Sequence, residues 1–331
     1  MFRKRSPKML AVGVTAVLAA ACGAGPGADP GGAAADGGGA DKLVFAAIPS
    51  EQSEHLEASF EPILSALEKE LGVPIEFQAV TSNAAVVEAQ VAQRVDIAVY
   101  GAFSYYLARS RADVEPIAAP VDTPGGEAGA TSYGVVRGDD RDINSLEDVK
   151  GKNICFTDPG STTGYLQPLA SLRQAGVDPE RAATVVYSGG HDTSVASLLA
   201  GDCDIAFVGE VFIDQLLPER GLLKPGQVRK VWTSPLIPAP PIVVGTWLPE
   251  QTRERIQRTV TAHTAAEMAQ QGFCEGAEIE GPELWGDKQG VRACTMGASN
   301  AWKFVEASDQ DYRTIARICE VTKADVCTEG E

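Results

Sequence analysis

Short apolar runs and helix-period segments alternate along this chain, and the series runs twice. Residues 43–48 form an apolar run closed by Pro49 and read as a strand. Leu56, Phe60, Ile63, Leu64, Leu67 and Leu71 then lie on one face of a helix, which Gly72 ends. A second strand is predicted over 75–80, a helix over 83–93, a strand over 96–100, a helix over 103–112 and a strand over 114–120. A parallel strand pair needs a crossover long enough to hold a helix, so the alternation predicts α/β architecture with a largely parallel sheet.

After a Gly-rich joint at 123–130 the pattern starts again. Strands are predicted over 132–137, 152–157, 184–187 and 204–208. Helices are predicted over 164–175 and 191–200, and Ser145 with Asp148 resembles a capping box. A Pro-rich return over 235–241 leads to a strand over 242–247, and the last third is read as helical. The chain makes one α/β unit, crosses, makes a second and crosses back. The expected division is lobe one over 42–130 plus 243–331 and lobe two over 131–242. A ligand cleft lies between them at the carboxyl ends of the strands, and two linking strands allow hinge closure.

The first 41 residues follow a different grammar. Arg3, Lys4, Arg5 and Lys8 precede a short apolar run over 9–18, and Ala19-Ala20-Ala21 precede Cys22. The run is too short for a membrane span, so residues 1–21 read as a signal peptide. Ala-Ala-Cys resembles a lipobox, making Cys22 the lipidation candidate and the chain's link to a membrane outside the cytoplasm. The alternative is cleavage at an A-x-A site with Cys22 free. Residues 22–41, mostly Gly, Ala, Pro and Asp, read as a flexible tether.

Six other cysteines remain: Cys155, Cys203, Cys274, Cys294, Cys319 and Cys327. An even number in an exported chain predicts disulfides, of which fifteen pairings are conceivable. The preferred set is Cys155–Cys203, joining neighbouring strands, with Cys274–Cys294 and Cys319–Cys327 closing short C-terminal loops. Zinc is disfavoured, since there is no C-x-x-C and no nearby histidine.

Charge narrows the ligand. Twenty-eight Lys and Arg stand against 45 Asp and Glu, a formal charge of −17. Nucleic acid is excluded as a partner, because phosphate-backbone contacts need a basic stripe. A small anion is not excluded, for three strand-to-helix turns carry neutral donors. In Asp158-Pro159-Gly160-Ser161-Thr162-Thr163-Gly164, Ser161, Thr162 and Thr163 supply hydroxyls beside backbone N–H groups at a helix start; a plain Ser/Thr N-cap is the competing explanation. In Ser188-Gly189-Gly190-His191-Asp192-Thr193, His191 can donate to an oxyanion. In the turn that opens at Asp96, Tyr100 ends the strand with its hydroxyl able to face the cleft or to sit in the core.

The segments DPGSTTGYLQP, YSGGHDTSVASLLAGDCDIA, VDIAVYGAFSYYLA and VWTSPLIPAPPIVV, in order across about residues 43 to 250, resemble the phosphate/phosphite/phosphonate-binding proteins of ABC transporters. The resemblance implies a periplasmic-binding-protein type II fold and a phosphorus oxyanion held between two lobes. It assigns Ser161 and Thr162 to the family's Ser-Thr pair, Thr163 to a following hydroxyl, His191 to its histidine and Tyr100 to its lobe-one tyrosine. Family members that bind aminoethylphosphonate hold the ammonium with Tyr, Glu and Asp. Those positions fall here on Asn83, Val211 and Pro240, with Glu210 one residue away. A ligand without an amine is therefore expected: phosphite, methylphosphonate or a close analogue, with phosphate as the alternative. Asn83 and Glu210 are the candidates at the tail end of the pocket. A monomer delivering ligand to permease subunits is expected, without cofactor, metal or catalysis. A Ser161–His191–Asp192 hydrolase is the rival reading. It lacks G-x-S-x-G, and Asp192 adjoins His191 too closely in sequence to orient it. A metal-uptake protein would need more than three histidines, and a sensor without a transport role would carry the same cleft.

Overall fold

The computed structural model describes residues 41–50, 53–179, 184–274, 278–280, 292–324 and 327. The leader, Cys22 and nearly all of the tether lie outside the described residues.

The first sheet is built around three parallel strands, β1 (Leu43–Ala47), β2 (Ile75–Gln78) and β3 (Ile97–Val99), with β1 between the other two. β4 (Val114–Val121) completes the first series. Helices α1 (Ser53–Leu71), α2 (Asn83–Val91) and α3 (Ala102–Arg111) make the crossovers. The apolar stripe of α1 does what its spacing predicts, burying Leu56, Phe60, Ile63 and Leu67 against the sheet.

The chain then leaves through β5 (Gly129–Ala130) and enters a second sheet with β6 (Ser132–Arg137), β7 (Asn153–Phe156), β8 (Thr184–Tyr187), β9 (Ile205–Gly209) and β10 (Val228–Thr233), ordered β10-β6-β9-β7-β8. Its helices are α4 (Gln167–Gln174) and α5 (His191–Ala200). The return strand β11 (Ile237–Pro238) pairs antiparallel with β5, so a two-stranded ribbon joins the sheets. β12 (Ile242–Gly245) then inserts between β3 and β4, antiparallel to both.

The sheets are mixed rather than largely parallel. The βαβ cores β2-β1-β3 and β8-β7-β9 are parallel as predicted. The strands entering and returning from the crossing, β6 and β12, run the other way.

The last third is not wholly helical. It holds α6 (Glu250–Ala262) and α7 (Ala265–Gln270), the hairpin of β13 (Glu278–Glu280) with β14 (Arg292–Cys294), and an edge strand β15 (Lys303–Glu306) on β4. In β15 the buried Phe304 stands between less buried neighbours, the alternation of a strand with one covered face. The final helix α8 (Arg313–Thr322) buries Ile315 and Cys319 in a core cluster containing residues of both sheets' helices. Arg173 of α4 donates to its Thr322 carbonyl. The C-terminal segment therefore adds its strand to the first sheet and sets its last helix against a helix of the second.

Three disulfides form, Cys155–Cys203, Cys274–Cys294 and Cys319–Cys327, the preferred pairs. The first closes a separation of 48 residues and fastens β7 to the residue pair that leads into β9.

Candidate functional site

The carboxyl ends of β1, β3, β4 and β9, with the turns that follow β7 and β8, converge on a cleft of about 100 Å³. Its lining brings together Ser161, Thr162, Thr163, His191 and Glu210 of the expected site residues. No Lys or Arg lines it among the described residues. Three of these side chains share one arrangement: a backbone N–H already occupies the acceptor, so the remaining hydrogen is left to donate.

Ser161 caps the helix after β7. Its Oγ accepts from Gly164 N at 3.0 Å, and Gly160 N is held by Asp158 Oδ1 at 2.7 Å. The first turn is widened, with Leu166 N–H reaching back five residues to the Ser161 carbonyl at 3.0 Å. Such single-turn widenings recur at functional sites. Gly164 is required here, because a Cβ would sit 2.0 Å from Thr157 Oγ1. Tyr165 packs edge-on against Phe156, with centroids 5.1 Å apart, and fixes the turn to the sheet.

Thr162 Oγ1 accepts from Phe103 N of lobe one at 2.8 Å. This contact between the lobes is possible because residue 101 is glycine: a Cβ there would lie 3.0 Å from Thr162 Oγ1. Thr163 faces the cleft, while its carbonyl accepts from Ser132 Oγ at 2.5 Å.

His191 begins α5 and is 7% exposed. Its Nδ1 accepts from Gly209 N at 3.1 Å, which leaves the proton on Nε2. The ring stacks on Phe212 at 4.5 Å. Burial lowers its pKa to about 4, so the imidazole is neutral across the physiological range and serves as a donor without carrying charge. The backbone N–H of His191 donates across the lobes to Ser50 O at 3.0 Å.

Two of the expected residues are elsewhere. Tyr100 lies in the core, not the cleft: its hydroxyl donates to Gln90 Oε1 at 2.8 Å, and burial raises its pKa. Side chains alternate along β3, so Val99, which does line the cleft, sends its neighbour to the other face. Asn83 is buried at the start of α2 against Gly160, in a separate crevice with Asp158 and Arg111.

The cleft also contains residues that the motifs did not single out. Ser50 follows β1, and its buried Oγ has no hydrogen-bond partner among the described residues. Asp122 follows β4 and is hydrogen-bonded to Ser299, which also lines the cleft. Burial raises Asp122 to about 6 against that hydrogen bond. Burial also raises Glu210 to about 7, and the nearby Asp122 charge adds to it. Glu210 Oε2 accepts from Thr131 N at 2.7 Å, and Glu210 N donates to Thr131 O at 3.1 Å, anchoring the carboxyl to the crossing segment. The rule that ligands sit beyond the carboxyl ends of strands points to Ser50 and Asp122; Ser299 has no local signature. Among the described residues no cluster of three His, Cys, Asp or Glu is placed to hold a metal, and no helix is long and apolar enough to cross a membrane.

A two-lobed solute-binding fold, with neutral donors and two carboxyl groups lining the cleft, is the class this geometry defines. The chain belongs to the family of ABC transporter, phosphonate, periplasmic substrate-binding proteins, whose model matches residues 45–289. The phosphate-import protein PhnD of Mycolicibacterium smegmatis is 34% identical over 327 residues, covering 96% of each chain. The phosphonates-binding periplasmic protein of Escherichia coli is 32% identical over 225 residues, covering 65% of this chain and 64% of that one. Among solved structures, PhnD1 of Prochlorococcus marinus in complex with methylphosphonate superposes with a TM-score of 0.67 at 19% identity, over 85% of this chain and 97% of that one. A phosphonate-transporter binding component from Pseudomonas aeruginosa gives 0.66 at 24% identity, over 85% and 86%. The fold is thus the periplasmic-binding-protein type II fold. The family is one of transport components acting outside the cytoplasm with a permease, not of enzymes.

Proposed function

We propose that this chain is a solute-binding lipoprotein of an ABC importer that captures a small phosphorus oxyanion: phosphate, phosphite or methylphosphonate. The observation that carries the reading is the shared arrangement of Ser161, Thr162 and His191, which line the cleft and each accept one backbone N–H, leaving a hydrogen to donate. Three preorganised donors on two helix starts suit an anion with three or four oxygens. The names of the relatives agree, one a phosphate importer and one solved with methylphosphonate.

In this reading lobe one is 42–130 plus 243–331, lobe two is 131–242, and the β5–β11 ribbon is the hinge. Lipidated Cys22 and the tether over 22–41 hold the body at the membrane after removal of residues 1–21. The ligand joins the lobes: Ser161 to Thr163 and His191 reach it from one side, while Ser50 and the start of α3 meet it from the other. Thermal unfolding of the full chain with each anion tests this. A ligand at a hundredfold excess over Kd adds about 2.7 kcal/mol. A clear rise in Tm with at least one of the three supports the reading, and no rise with any of them refutes it.

A further inference from the structure

The donors in this cleft face two carboxyl groups, an arrangement unfavourable for a bare anion. Glu210 and Asp122 line the same cavity as Ser161 and His191, and the Asp122 charge acts directly on Glu210. The groups acting on Glu210 are the Asp122 charge at the end of β4, the Thr131 hydroxyl and the N–H groups of Thr131 and Glu210 itself, and the neutral His191 lines the same cavity. No cation among the lining residues offsets the carboxyls. Ser50 adds an independent sign of a ligand: its Oγ is more than nine-tenths buried, lines this cavity and has no partner among the described residues.

An oxyanion beside an ionised carboxylate in a desolvated cleft is strongly disfavoured, unless a hydrogen lies between the two oxygens. We propose that Glu210 shares one proton with the bound oxyanion, so that above neutral pH the cleft selects anions that bring their own acidic hydrogen. This rests on the oxyanion reading above. Phosphate keeps a P–OH at every pH the protein meets and can donate it to the ionised Glu210. Sulfate has none, and methylphosphonate loses its last one as the pH rises, so each binds only if Glu210 itself is protonated. The proton comes from the ligand in the first case and from solvent in the second; no other bond changes.

The test is calorimetric titration of the full chain with phosphate, methylphosphonate and sulfate at pH 6.5 and 8.5. Phosphate affinity is expected to change by less than about threefold. Methylphosphonate and sulfate are each expected to weaken at least about tenfold, since one bound proton changes affinity tenfold per pH unit above the carboxyl's pKa. In Glu210→Gln, which keeps an oxygen for Thr131 N–H, the pH dependence of the sulfate-to-phosphate ratio is expected to vanish. The wild-type profile tests the idea even if that variant does not fold. Parallel pH profiles for all three anions, or an unchanged profile in Glu210→Gln, would overturn the inference and leave the oxyanion reading intact. Aminoethylphosphonate binding more tightly than methylphosphonate at pH 8.5, with the gain lost in Glu210→Gln, would overturn it by making the carboxyl an ammonium partner. Failure of every anion to bind at either pH would remove the oxyanion reading and this inference together.

Discussion

The backbone N–H of Gly209, at the end of β9, donates to Nδ1 of His191 at 3.1 Å, and so decides which imidazole nitrogen carries the proton. A strand end in the second sheet thereby makes a histidine on a neighbouring helix, one of the residues lining the cleft, a neutral donor at Nε2. Neutrality follows from burial, which holds the pKa near 4. Replacing His191 with Ala should weaken phosphate binding at least about tenfold, the worth of one hydrogen bond to a charged partner. Wild-type phosphate affinity should show no step near pH 6.5, where an ordinary histidine titrates. Titration calorimetry of both proteins between pH 5.5 and 8 checks the two statements.

The Phe103 N–H to Thr162 Oγ1 contact, at 2.8 Å, ties the start of α3 to the turn after β7 beside the cleft. Thr162→Val leaves that buried N–H without an acceptor, a cost of about 1–3 kcal/mol. Gly101→Ala brings a methyl against the same oxygen, at 3.0 Å. Both variants should bind phosphate more weakly, as titration calorimetry would show. Small-angle scattering with saturating phosphate should show Gly101→Ala less compact than wild type.

Two buried groups act on stability in opposite directions with pH. His191 has its pKa lowered from 6.5 to about 4, so its contribution is complete above 6.5 and is lost as pH falls towards 4. Glu210 has its pKa raised from 4.5 to about 7, so its contribution is complete below 4.5 and is lost as pH rises through 7. Glu210→Gln removes the second effect. Without ligand it should gain about 3 kcal/mol relative to wild type between pH 4.5 and pH 8. Urea unfolding at the two pH values measures the difference; equal wild-type and variant offsets at both would contradict the assignment.

The Cys155–Cys203 bond closes a 48-residue separation inside the second sheet. Replacing both cysteines with Ser should cost about 2–5 kcal/mol, seen as a lower Tm for the full chain. Reducing agent should lower the wild-type Tm in the same direction and leave the variant less affected.

The sequence showed the parts of this site that lie on repeating patterns. Strand-to-helix turns rich in Ser, Thr and Gly led to Ser161, Thr162, Thr163 and His191, because helix starts and strand ends meet there in any doubly wound unit. Tyr100 was misplaced because a strand-end residue can face either side, and only the register against β1 and β12 decides that Val99 takes the cleft. Asn83 is placed at the pocket's tail end by the resemblance, and position along the chain does not encode that α2 starts against Gly160. Asp122 and Ser299 come from segments more than 170 residues apart in sequence. Their meeting depends on β15 adding to β4, a pairing with no local signal. The antiparallel strands β6 and β12 were legible as strands, but their direction depends on how the chain crosses between sheets.

If the neutral donors of this cleft hold one phosphorus oxyanion, removing either Ser161 Oγ or the His191 ring must weaken its binding. Titration calorimetry of the full chain with inorganic phosphate at pH 7, beside the Ser161→Ala and His191→Ala variants, tests it most directly. Saturable one-to-one binding to wild type is expected, weakened at least about tenfold in each variant. Saturable wild-type binding with undiminished affinity in both variants would place the anion elsewhere and contradict it.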